Sequence, residues 1–462
     1  MSTTYPPRPP ARPPASRHTA PRPERTGPRS PAALVLTLCW AGAAAVVGLW
    51  WHDTRAVVGP ADWLIGAGRI AGLLCGYSCA LLVLLMARVP ALESGVGSDR
   101  VARWHAMAGR YTLCLLLAHA VLVLWGYSVQ AHSALPGEAW TVVTTYPDML
   151  KGTAGGLLLL GVGAVSVRAV RRRLRYETWY YLHLLTYLAV FLAFWHQLAL
   201  GADVGSGPAR AAWYVLYAGA AGAVLWFRVL VPVRMNLRHR LRVLAVVDEA
   251  PGVVSVLVGG RRLDGLAARP GQFFRWRFLA PGLRWTASPY SLSAAPRPGV
   301  LRITVKAVGG HSAALAGLTP GTRVWAEGPY GALTADRRTR QKVLLLAGGV
   351  GVTPLRALFE SLPARPGDLT LVYRASSAAD LALRGELESI AAARGARLHL
   401  VVNGPGGRRP RLSVAGLRET LPDVARHDVY VCGPPGLLRE SYEVLRAAGV
   451  PARHIHHESF EL

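Results

Sequence analysis

The sequence predicts a membrane α-helical bundle of six helices, followed by an antiparallel β-barrel domain and an α/β parallel-sheet domain. Three observations predict it. Six apolar runs of about the length a bilayer requires fill the first half of the chain. Arginines flank these runs with a strong bias toward alternate connections. After about Arg234 the pattern changes to short strands broken by Pro-Gly turns, and later to strands alternating with helical stretches.

The composition agrees. Of 462 residues, 52% are hydrophobic, and the mean hydropathy of +0.27 is high for a soluble chain. The formal net charge of +26 is what a nucleic-acid binder would show, yet the cations are mostly Arg placed beside apolar runs, and no nucleic-acid motif is present. That placement reads as membrane topology. Five cysteines, four of them inside apolar runs, form no CxxC pair and no disulfide framework, so they read as small packed side chains.

The spans are expected at about Ala32–Trp51, Trp63–Ala87, Trp104–Tyr127, Met149–Val167, Thr178–Leu200 and Ala211–Val231. Residues 1–31, rich in Pro and Arg without an apolar core, read as a disordered basic tail rather than a signal peptide. Anionic lipid is a candidate contact for it. With the N-terminus inside, the inner segments 1–31, 88–103 and 168–177 hold six, three and five Arg, against Arg55, Lys151 and Arg210 outside. This bias puts both termini on the cytoplasmic side. The domains are then the tail, a bundle over 32–233, a β-barrel over 234–340 and an α/β domain over 341–462.

Two spans carry two histidines each, His105 and His119 in the third, His183 and His196 in the fifth. An intramembrane imidazole is costly without a partner, and neutral imidazole is a good haem-iron ligand. The 14-residue spacing in the third span corresponds to about 21 Å of helix and the 13-residue spacing in the fifth to about 19.5 Å. Two ligand pairs at two depths follow: His105 with His183 near the cytoplasm, His119 with His196 near the outside. Azimuth is less tidy. Fourteen residues return to within about 40° of one face, whereas thirteen miss it by about 140°. Either the fifth helix is locally irregular or its two rings approach from different sides. Arg69, in the second span, should sit near the outer pair, where it would meet a haem propionate or an anionic acceptor, or snorkel to the interface. Arg103, Trp104 and Arg110 are candidates for the same task near the inner pair, or set topology.

The barrel region carries Arg269-Pro-Gly-Gln272-Phe273, then Ser288-Pro289-Tyr290-Ser291-Leu292-Ser293, then Thr304-Val-Lys306 and Gly309-Gly310-His311-Ser312, and ends at Glu327-Gly-Pro-Tyr-Gly331. A Tyr followed by Ser suits an isoalloxazine ring, and the glycines allow a pyrophosphate to approach backbone amides, with Ser312 adding a hydroxyl donor. In the α/β region, Gly348, Gly349 and Gly351 join a strand to a helix that Thr353 would cap and Pro354 would begin, a phosphate-binding arrangement. This is an α/β parallel-sheet nucleotide-binding domain in its pattern. Arg374 and Ser376, at the end of a later strand, favour a 2′-phosphate and therefore NADPH, with NADH the alternative. Cys432-Gly433-Pro434 ends another strand, placed near a nicotinamide, and Phe460 is placed to cover a flavin face or simply to pack.

Taken in order, these motifs resemble the ferric reductase-like transmembrane family, which includes NADPH oxidases and metalloreductases, and the C-terminal half resembles ferredoxin–NADP reductase. The resemblance covers roughly residues 32–462. It rests on Arg103-Trp-His-Ala-Met-Ala-Gly-Arg110 followed by His119, and on Arg175-Tyr-Glu-Thr-Trp179 followed by His183 and His196. It implies FAD, two b-type haems held by the four histidines, and an Arg near the outer haem at Arg69. It further implies electrons passing from NADPH through FAD and the haems to an outer acceptor, oxygen giving superoxide or ferric iron. One departure is Ser288, where members carry His or Arg. A haem-free, membrane-anchored NADPH-flavin reductase is the alternative reading, and a nucleotide-regulated channel or sensor a weaker one. No EF-hand loop is present.

Overall fold

The computed structural model describes residues 31–53, 57–174, 176–204, 207–404, 410 and 412–459. The basic tail up to residue 30, Arg55, Arg175 and Phe460 lie outside the described residues. The chain divides at Val231–Pro232 into two compact units.

The first unit is helical. Its helices are α1 (Pro31–Asp53), α2 (Pro60–Leu85), α3 (Pro90–Gly95), α4 (Ser98–Gln130), α5 (Leu135–Thr145), α6 (Met149–Ser166), α7 (Arg168–Arg171), α8 (Tyr176–Leu200) and α9 (Gly207–Val224). A six-residue π-helix, Leu225–Leu230, continues α9 into α10 (Val231–His239). Six helices are long and apolar enough to cross a membrane, at the six expected places. Their apolar faces are broadly exposed, as with Trp40, Leu117, Leu157, Phe191 and Val215, which suits a bundle whose outer solvent is lipid.

Glycine lets the spans approach. A Cβ at Gly68 of α2 would lie 2.5 Å from Val123 of α4, and one at Gly155 of α6 would lie 2.7 Å from the Ala189 carbonyl of α8. Small residues at such crossings replace the hydrophobic drive that lipid removes.

The second unit begins with strands β1 (Arg242–Ala250), β2 (Val253–Gly259), β3 (Phe273–Phe278), β4 (Ser288–Ser291), β5 (Val300–Lys306) and β6 (Val324–Tyr330), with a short α11 (Gly310–Ala313) before β6. They form two antiparallel sheets, ordered β1-β2-β5 and β4-β3-β6. Strand β3 shows the period of two: Phe274, Trp276 and Phe278 are fully buried, while Arg275 and Arg277 between them are half-buried. Where a closed barrel was expected, isolated bridges Arg242–Arg323 and Leu292–Ile303 join the two sheets, and among the described residues no continuous ladder closes them. Asn236 of α10 acts as a surrogate strand residue, its amide donating to the Ala326 carbonyl (2.8 Å) and its oxygen accepting from the Ala326 amide (2.9 Å).

A parallel sheet follows, built from β7 (Val343–Gly348), β8 (Leu369–Ala375), β9 (Arg397–Val402), β10 (Asp428–Gly433) and β11 (Ile455–Ser459), in the order β11-β10-β7-β8-β9. Helices α12 (Val352–Ser361), α13 (Arg384–Arg394), α14 (Val414–Thr420) and α15 (Pro435–Ala447) connect them. Every residue of β7 and β8 is buried, as strands covered on both faces require.

Candidate functional site

The four membrane histidines meet in two pairs. The rings of His105 and His183 have centroids 6.0 Å apart, and those of His119 and His196 are 6.1 Å apart. Two iron–imidazole bonds of about 2 Å each, plus the distance from nitrogen to ring centre, would place opposed rings about 6 Å apart. Helix α8 is continuous α-helix, so its two rings leave it in different directions; the local irregularity considered from the spacing is absent.

Each ring is held in its own way. His119 Nδ1 lies 2.8 Å from the Gly68 carbonyl and His105 Nδ1 lies 3.3 Å from the Leu82 carbonyl. A carbonyl can only accept, so Nδ1 carries the proton in both and Nε2 keeps the lone pair that a metal needs. Ser166 Oγ stands 3.4 Å from His183 Nδ1 and accepts the Trp179 indole N–H (3.3 Å), while Trp179 stacks on His183 at 5.2 Å. The Nδ1 of His196 is buried with no hydrogen-bond partner among the described residues. Room for the His119 and His196 rings comes from two glycines: a Cβ at Gly72 would lie 2.6 Å from His119 Nδ1, and one at Gly152 would lie 2.8 Å from His196. The donor set and the spacing fit haem at both pairs, and the notches fit it at His119 and His196.

Arg69 has a partner that no local signal announced. Its guanidinium donates to both carboxylate oxygens of Asp203, on the turn after α8, at 2.5 and 3.2 Å. The arginine is therefore neither snorkelling nor unpaired. Arg103 and Arg110 are exposed, and Trp104 packs beside Leu85 and Val101.

In the second unit, the β7–β10 pair is the point where the connections leave the sheet in opposite directions, the usual crevice for a nucleotide. The strand register brings the carboxyl ends together: Cys432 pairs with Ala347, Gly348 with Arg374, and Gly433 with Ser459. A Cβ at Gly351 would lie 2.3 Å from the Cys432 carbonyl, and Gly349 has φ +54°, so the turn after β7 requires these glycines. Thr353 does not cap α12. Gly351 is the N-cap, and the Thr353 hydroxyl donates to the Val350 carbonyl (3.0 Å), with Thr353 and Pro354 both buried. Cys432 is fully buried. Pro434 is the N-cap of α15. Arg374 is buried, bonding Glu440 (3.4 Å) and the Pro410 carbonyl, and Ser376 is exposed beside it.

On the flavin side, Tyr290 is half-buried and its phenol is pushed up by burial, with a hydrogen bond from Ser288 opposing. Pro289 is half-buried; Ser291, Leu292 and Ser293 are buried. The hydroxyls of Ser293 and Thr304 serve an internal chain, Thr304 bonding Ser255 (2.7 Å) and Ser293 (2.8 Å) while Arg302 donates to Ser293 (3.1 Å). Lys306 faces Asp380 at 3.5 Å, and Arg269 pairs with Asp336. The Gln272 side chain accepts from the Arg269 amide, and Phe273 packs on Tyr330. Gly309 and Gly310 are open, with nothing within 4 Å of a Cβ. Ser312 is not the expected donor to a ligand; its oxygen accepts the amides of Val308 and Gly309 and its proton goes to the Gly309 carbonyl. Ser288, at the position of the departure, lies 3.4 Å from His311 Nδ1.

Below the flavin loops, two carboxylates hold three arginines. Glu386 accepts two bonds from Arg302 (2.6 and 2.9 Å) and one from Arg356 (2.7 Å), and Glu360 pairs with Arg356 and Arg297. Arg302 and Arg356 are 2% and 3% exposed, so this is a buried ionic network joining the antiparallel sheets to the parallel one.

Residues 71–194 match the family profile of the ferric reductase like transmembrane component, and residues 345–442 that of the oxidoreductase NAD-binding domain. Among curated relatives, the chain is 31% identical over 240 residues to the glycine betaine monooxygenase reductase subunit of Chromohalobacter salexigens, covering 49% of this chain and 65% of that one. It is 31% identical over 202 residues to an NADPH oxidoreductase of Mycobacterium tuberculosis, covering 42% and 52%. The chain thus spans less than two thirds of the length of either relative. A solved flavohem-like FAD/NAD binding domain of nitric oxide dioxygenase from Vibrio cholerae is 26% identical, with TM-score 0.42, over 48% of this chain and 98% of that one. One chain therefore carries a segment similar to a ferric reductase like transmembrane component, followed by a segment similar to an oxidoreductase NAD-binding domain.

Proposed function

We propose that the protein moves electrons from cytosolic NADPH through FAD and two bis-histidine b-type haems to an acceptor on the outer face, either oxygen, giving superoxide, or ferric iron. The observation that carries this reading is the pair of opposed imidazole couples, each about 6 Å across, in a bundle coupled in one chain to a reductase half. When bound, FAD takes a hydride and haem passes single electrons. The chain supplies orientation. Leu82 and Gly68 fix the protonated nitrogen of His105 and His119, so each presents Nε2. Both faces of each iron would be filled by histidine, so an acceptor would be reduced at the haem edge. The glycine turn after β7 and the Gly310 position, open to approach, offer backbone to the two cofactors' phosphates. The arginine bias beside the spans supports cytoplasmic termini.

The test is an anaerobic absorption spectrum of detergent-purified protein with FAD, before and after NADPH. About two haems per chain, reduced by NADPH, with one lost in His119→Ala and one in His105→Ala, is the expected result. A flavin spectrum without haem leaves a haem-free, membrane-anchored flavin reductase.

A further inference from the structure

Arg228 sits inside the sixth span, on the π-helix Leu225–Leu230. A π-turn is rare and widens the helix by one residue, often where a side chain must be re-aimed. An intramembrane arginine pairs with an acid or with backbone carbonyls. Among the described residues no carboxylate pairs with Arg228. Its Nη1 donates to the Met86 carbonyl (3.2 Å) and its Nη2 to the Tyr180 hydroxyl (3.4 Å). Two of five N–H donors are then used, and three remain.

Those two contacts locate Arg228 against the His105–His183 pair. Met86 is four residues past Leu82, whose carbonyl holds the His105 ring. Tyr180 is three residues before His183 on α8. Four residues, or three, is about one helical turn, on the same helix face. Both offsets run the same way, toward the end of the bundle where α2 stops and α8 starts. Two helices therefore independently put the guanidinium about 5 Å along the axis from that imidazole couple. A planar ring system held between the two imidazoles would extend past them at this level.

We propose that Arg228 binds a carboxylate of the tetrapyrrole held between His105 and His183, and raises that group's reduction potential. The proposal rests on haem occupying this pair. Reduction adds negative charge, which a nearby cation favours, so loss of the guanidinium must lower the potential. Arginine suits the task because its planar fork can engage a carboxylate with two donors while others keep Met86 and Tyr180.

The experiment uses the full chain in a neutral detergent, as wild type, Arg228→Gln and Arg228→Lys. Haem per chain and both midpoint potentials are read by anaerobic spectroelectrochemistry, with thermal stability recorded alongside. His183→Ala identifies which midpoint belongs to the inner couple. The expected result is that Arg228→Gln keeps both haems, lowers only that midpoint and leaves the other unchanged, while Arg228→Lys recovers part of the shift. Unchanged midpoints with a lower melting temperature would overturn the proposal, leaving Arg228 as a cap on the last carbonyls of α2. A shift present with anionic phospholipid and absent after delipidation would overturn it too, assigning the guanidinium to a lipid phosphate. Wild-type protein without haem would show instead that the reading of the four histidines fails, before any variant is compared.

Discussion

Arg69 and Asp203 grip each other across 134 residues of sequence, the guanidinium of α2 donating to both oxygens of a carboxylate on the turn after α8. The Asp203 side chain is 2% exposed and that of Arg69 is 29% exposed, so the pair is partly shielded from water. Asp203→Ala should leave an uncompensated cation and lower stability by about 1–3 kcal/mol. Arg69→Met combined with Asp203→Leu should recover most of that loss, because the double change removes both desolvated charges. Thermal melting of the three proteins in one detergent checks this; an Asp203→Ala melt equal to wild type would show the pair to be dispensable.

The glycine notches should be as demanding as the ligands. Gly72→Ala places a methyl against the His119 ring, and Gly152→Ala places one against His196. Either should cut haem content toward one per chain, by displacing a ligand, and overpacking adds about 1–3 kcal/mol of strain. Gly219→Ala, exposed on α9 with nothing within 4 Å of its Cβ, is the control and should retain the full spectrum.

The network of Arg302, Arg356, Glu386 and Glu360 predicts an acid limit for the reductase half. Burial pushes the Glu386 carboxyl up, but bonds and charge from Arg302 and Arg356 outweigh it and hold the carboxyl below its ordinary value. Glu360 is lowered in the same way, by Arg356, the Ala295 amide and Arg297 against its burial. Depressed carboxyls stabilise the fold above their unfolded value, about 4.3, and that contribution is lost as pH falls through the folded values. Stability should therefore be flat above about pH 5 on this account and fall below about 4. Glu386→Gln should cost about 3–5 kcal/mol at neutral pH, since it takes the Glu386 carboxylate from the buried Arg302 while Arg356 keeps only Glu360, and should flatten the acid slope. Tryptophan fluorescence during acid titration reads both.

Coenzyme choice should turn on Arg374. Its guanidinium bonds Glu440 and the Pro410 carbonyl at the carboxyl end of β8, beside the exposed Ser376. Arg374→Gln should lower kcat/KM for NADPH about tenfold, the worth of one charge-assisted contact, and leave NADH within about twofold. Glu440→Gln should act in the opposite direction by releasing the guanidinium. Equal losses with both coenzymes would mean that Arg374 is only a structural brace.

Much of this was legible because hydropathy and residue type are local signals. The six spans follow from length and apolar content alone, and four imidazoles in hydrocarbon announce themselves by their cost. Distant pairing is not local. Asp203 looks like one acid in a turn until the fold brings Arg69 to it. Strands β4 and β6 carry little pattern of their own, because Ser288–Ser291 is four residues long and contains Pro289, and Val324–Tyr330 ends in Gly-Pro-Tyr. Thr304 and Ser293 read as ligand hydroxyls in sequence, yet β5 and the segment after β4 turn them toward each other. The π-turn at Leu225–Leu230 has no signature beyond the single Arg228 in an otherwise apolar stretch.

The order of the parallel sheet also sets a timetable. Strand β7 lies at the centre, but Val343 finds its β10 partner only at Asp428, beyond α12, β8, α13, β9 and α14. Chains emerge from the ribosome at about 5–20 residues per second, and pairing at such separation is slow. All six spans will have left the ribosome well before β10 exists to complete the crevice. Biogenesis therefore runs from the bilayer outward: the helices can be inserted while the crevice between β7 and β10 is still unformed.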